Sequence, residues 1–87
     1  MTVSWKTLVS KYQDDANRLE DCTQVDIDPL GSMSVIHLGD DNNAVSEYFF
    51  RDWEVMEMRE EFERMLPLEF RQEVDFVDYI RVTSQNW

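Results

Sequence analysis

The stretch Thr23-Gln24-Val25-Asp26-Ile27-Asp28-Pro29-Leu30-Gly31-Ser32-Met33-Ser34-Val35-Ile36-His37-Leu38, continued by Gly39-Asp40-Asp41-Asn42-Asn43 and Ala44-Val45-Ser46-Glu47-Tyr48-Phe49-Phe50, decides the fold. Residues 23–28 alternate, with Val25 and Ile27 on one side and Asp26 and Asp28 on the other. That two-residue period belongs to a half-buried strand. Pro29-Leu30-Gly31-Ser32 reads as a turn. Residues 33–38 form a second β-rich run. Gly39 to Asn43 is a loop, because Gly, Asp and Asn tolerate turn backbone angles. Residues 44–50 are rich in the residues that favour strands, which predicts a hairpin with the preceding run. A helix starting at Asn43 is the competing reading, since Val45, Phe49, Trp53 and Met56 also share a helical face.

On either side of this stretch the period lengthens. Trp5, Leu8, Val9, Tyr12, Ala16 and Leu19 mark one face of a helix over residues 3–20, with Thr2 or Ser4 as its cap. Val55, Met58, Phe62, Met65 and Leu66 mark a second helix, capped by Asp52 and stopped near Pro67. The last segment fits either period. Its β-branched and aromatic content favours a helical turn over 68–72 and then a strand over 74–83. The expected order is α-β-β-β-α-β. It implies a single α+β domain over residues 1–87, an antiparallel sheet of three to four strands with two helices on one face.

Composition narrows the function. With 87 residues, 43% hydrophobic and 13% aromatic, the chain has enough apolar side chains for one modest core. Cys22 is the only cysteine, so no internal disulfide exists. No apolar run reaches the ~20 residues of a membrane span, and the mixed N-terminus is unlike a secretory signal, so the expected location is the cytoplasm.

Catalytic chemistry is hard to place. His37 is the only histidine and falls inside a strand, with no nucleophile elbow or oxyanion loop near Ser34 or Ser46. Asp26 to Gly31 starts like a calcium loop, but Leu30 and His37 stand where oxygen ligands are needed. One Cys and one His are too few for zinc. Gly31 and Gly39 are the only glycines, so there is no phosphate-cradling loop. No cofactor or metal is expected, and the chain is read as non-enzymatic.

Charge is the informative feature. The formal net charge is −11, from 19 acidic against 8 basic side chains. Residues 1–39 hold three basic and six acidic side chains, and residues 40–87 hold five and thirteen, so the acidity concentrates in the second part. Glu54, Glu57 and Glu61 are spaced i, i+3, i+7 on one side of the second helix, and Glu60 and Glu63 widen the band. Nineteen carboxylates are comparable in number to the ~18 phosphate charges on ~30 Å of duplex DNA.

The candidate contact residues are therefore Asp40, Asp41, Glu54, Glu57, Glu60, Glu61 and Glu63, acting as phosphate surrogates toward a basic protein or nucleoprotein complex. Direct binding to nucleic acid or to an anionic membrane is not expected at this charge, and a homodimer is compatible with the sequence. In size, charge and lack of catalytic motifs the chain resembles the small acidic proteins that phages use against host defences, the DNA-mimicking anti-restriction and anti-CRISPR proteins. The likeness is one of composition. It implies an inhibitor and assigns no residues. The alternative is an adaptor or immunity-type module that uses exposed aromatics with an acidic rim.

Overall fold

The computed structural model describes residues 5–65 and 74–87. Helix α1 spans Trp5–Leu19, strands β1, β2 and β3 span Thr23–Ile27, Met33–Leu38 and Ala44–Phe50, and helices α2 and α3 span Asp52–Met65 and Phe76–Thr83. A short 3-10 turn, Ser84–Asn86, closes the chain. The protein is a small α+β domain of order α-β-β-β-α-α, whose strands form an antiparallel sheet in the order β1-β2-β3.

The two hairpins use the same loop. Asp28 N–H donates to the Ser32 carbonyl and Gly31 N–H to the Asp28 carbonyl; Gly39 N–H donates to the Asn43 carbonyl and Asn42 N–H to the Gly39 carbonyl. The fourth residue of each loop is left-handed, Gly31 with φ 101° and Asn42 with φ 63°. A turn ending in a left-handed residue matches the twist of the strands it joins. Carboxylates brace both loops. Asp28 Oδ1 accepts from Leu30 N–H and Ser32 N–H, and Asp41 accepts from Asn43 N–H and from the Asn43 amide.

Register places Val25, Val35 and Tyr48 in one row, and Ile27, Met33 and Phe50 in the next. These side chains face inward. There they join Val9 of α1, Val55 and Phe62 of α2, and Phe76, Tyr79 and Ile80 of α3 in one core, which also includes Val74. The helices thus cover one face of the sheet. On the other face Glu47 and Phe49 remain exposed, and residues 44–50 form the expected strand and not the competing helix from Asn43.

The predicted strand over 74–83 is a helix. Asp75, in extended conformation, caps α3 by accepting Asp78 N–H at 2.8 Å. Val74 just before the cap and Tyr79 in the first full turn both lie in the core, the positions of a hydrophobic staple. Burying Phe76, Tyr79 and Ile80 against α1 and the sheet rewards a helical stripe over the β propensity of single residues. Among the described residues three helices, not two, therefore cover the sheet. The expected helical turn over 68–72, the stop at Pro67 and the Thr2 or Ser4 cap lie outside the described residues.

On α2 Met58 packs on the core, while Met56 and Met65 are 63% and 53% exposed. The C-terminal Trp87 folds back, its ring 5.2 Å from those of both Tyr48 and Phe50.

Candidate partner-binding face

Helix α2 follows β3 after a single residue, so its start is fixed by local hydrogen bonds. Glu54 Oε1 accepts Arg51 N–H at 3.0 Å, and Asp52 Oδ1 accepts Trp53 N–H at 2.8 Å. The Glu54 contact is the backward half of a capping box. Carboxylates at this end also suit the positive end of the helix dipole. Val55 and Phe62 then turn inward, Phe62 lying 5.0 Å from the Tyr79 ring and 5.9 Å from Phe76. With the inner side fixed, the 3.6-residue period puts Trp53, Glu57, Glu60 and Arg64 on the outer side.

Arg59 belongs to neither side. Its guanidinium lies over the Phe76 ring, 4.3 Å from the centroid, so the outer face is left to the residues that line it. What remains is an open groove of about 590 Å³. Phe50, Trp53 and Met58 supply its apolar lining, and Glu54, Glu57, Glu60 and Glu61 its carboxylates. Arg64 lines it toward the end of the helix. Trp53 is 57% exposed there. Glu61 also reaches inward electrostatically. The Tyr79 hydroxyl, donating to Met65 Sδ at 3.6 Å, is pushed above its ordinary pKa by burial first and by the Glu61 carboxylate second.

The seven acidic residues read from the sequence are thus not one patch. Glu54, Glu57, Glu60 and Glu61 share the groove. Glu63, six residues after Glu57, falls roughly 120° around the helix from it. Asp40 and Asp41 sit in the β2–β3 loop, at the end of β3 opposite the start of α2. Seven residues of strand separate the two places by roughly 20 Å. Asp41 is in addition occupied by its loop. The Asn43 backbone N–H, and then the Asn43 side chain, hold its carboxyl below the ordinary range. The residues missed by a search for charge alone are Phe50 and Met58. Trp53 was visible as an aromatic one helical turn before Glu57.

The single histidine has a structural place. His37 Nε2 lies 2.9 Å from Ser84 Oγ, and that hydroxyl donates to the Arg81 carbonyl, so the ring N–H is the donor toward serine. Ser84 is fully buried. Gln85 Nε2 donates to the buried Thr23 Oγ1, and Arg81 Nε to the Thr23 carbonyl. This network ties the C-terminal turn to β1 and β2. Among the described residues no three His, Cys, Asp or Glu side chains are placed to hold a metal ion, and no helix is long and apolar enough to cross a membrane.

Comparison with protein-family models, with curated proteins and with solved structures found no match to this chain.

Proposed function

We propose that this chain is a non-enzymatic inhibitory binding protein, acting in the cytoplasm, whose α2 face occupies a basic nucleic-acid-binding site on another protein. The observation that carries this reading is the groove in which four glutamates of one helix project from a scaffold of net charge −11. A helix holds its carboxylates at fixed spacing, so they attract a basic groove without first being ordered. Glu57, Glu60 and Glu61 are the phosphate surrogates, with Glu54 contributing charge from its capping position. The chain itself is expected to repel DNA and RNA. The action is that of a phage-type anti-defence inhibitor such as an anti-CRISPR or anti-restriction protein.

The exposed Trp53 favours a second reading, an interaction module anchored by aromatics with an acidic rim. Salt separates the two. Replacing Glu57 and Glu61 by Gln is expected to leave the fold intact and to weaken binding to the natural partner, with the loss largest at low salt. Undiminished binding by this double variant would remove the acidic helix as the contact surface.

A further inference from the structure

The groove along α2 joins two features that phosphate surrogates alone do not require, an exposed indole and a carboxylate one turn away. Trp53 lines the groove beside Phe50 and Met58. Glu57 follows it at i+4, on the same side of the helix. Among the residues that line the groove the cation is Arg64, which stands eleven residues from Trp53, about 16 Å along the axis. The first half of the groove is therefore aromatic and acidic together.

We infer that this half of the groove is an arginine-binding site, whose occupant is a basic segment of the partner that lays a guanidinium on the Trp53 indole and directs its N–H groups to Glu57. Charge complementarity selects a cation. A flat ring beside a carboxylate selects the planar, forked cation of arginine over the compact one of lysine. Nucleic-acid sites use arginine in both ways, stacking its plane on bases and pairing with phosphates. Trp53 then stands in for a base where the glutamates stand in for phosphates. This rests on the α2 face being the docking surface proposed above. A second copy of the chain is the wrong occupant, because it would bring like charges against these carboxylates.

The test uses two synthetic peptides, an alternating Arg-Gly octamer and its Lys-Gly counterpart, titrated into the isotopically labelled full chain. The readout is the indole N–H resonance of Trp53, identified by its loss in Trp53→Phe. The arginine peptide is expected to shift that resonance to saturation and leave the Trp87 indole in place. The lysine peptide is expected to bind at least about threefold more weakly, and Trp53→Ala to lower arginine-peptide affinity about fivefold. Replacing Asp40 and Asp41 by Asn is expected to change neither. An unmoved Trp53 resonance, or equal binding of the two peptides, would overturn the inference, and both are read on the unsubstituted protein whether or not a variant folds. Failure here with nucleic acid still competing for the natural partner would remove the arginine site alone. Peptide binding at Trp53 without such competition would remove the inhibitor reading alone.

Discussion

The Glu54 carboxylate accepts the Arg51 backbone N–H at 3.0 Å, so one of the glutamates of the α2 groove also sets where the helix begins. Charge and structure are therefore separable by substitution at this position. Glu54→Gln keeps an acceptor and is expected to retain stability. Glu54→Ala is expected to lose about 0.5–1.5 kcal/mol. Urea denaturation of the two variants measures the difference, and equal midpoints would show that the cap contributes nothing.

Phe62 joins α2 to α3. It is 7% exposed and lies against both Phe76 and Tyr79. Phe62→Ala is expected to destabilise by ~3–5 kcal/mol, a large share of a small domain's stability. A loss below about 1 kcal/mol in denaturant unfolding would mean that this cluster closes over the cavity.

Asp78 is expected to oppose folding at neutral pH. Burial first, and the neighbouring Asp75 second, raise its pKa above 3.8, although Arg81 at 3.4 Å opposes them. A carboxyl whose folded pKa is raised binds its proton more tightly in the folded state. Ionised, it subtracts from stability above that raised value, and the subtraction vanishes below the unfolded value. Asp78→Asn is thus expected to be more stable than the natural chain at pH 7 and to lose that advantage near pH 3. Thermal unfolding of both proteins across this range reads the crossover, and an unchanged difference would assign the effect to packing.

Much of the fold was legible in sequence. The alternation of Val25 and Ile27 with Asp26 and Asp28 and the loops at Gly31 and Asn42 are local signals, and they recur in β1, β2 and β3. The Val55 and Phe62 stripe likewise became the inner side of α2. The segment 74–83 misled because Val74, Phe76, Ile80 and Val82 alternate like a strand, while the helix is specified by a cap at Asp75 and by burial against elements far away in sequence. The acidic face was half legible for the same reason. Helical spacing relates Glu57 to Glu61, but only the hairpin's direction separates them from Asp40 and Asp41. The groove's apolar lining was hidden because Phe50 comes from β3 and meets α2 only once the chain folds.

The proposed function requires this chain and nucleic acid to contend for one site. The most direct measurement captures the natural partner with the immobilised chain, purifies it, and titrates chain and duplex or single-stranded nucleic acid against each other on it. Mutual exclusion is expected, with no mobility shift of nucleic acid by the chain alone and at least about a tenfold fall in affinity for the partner between about 50 and 200 mM salt. Simultaneous, independent binding of the chain and nucleic acid to the partner would contradict it.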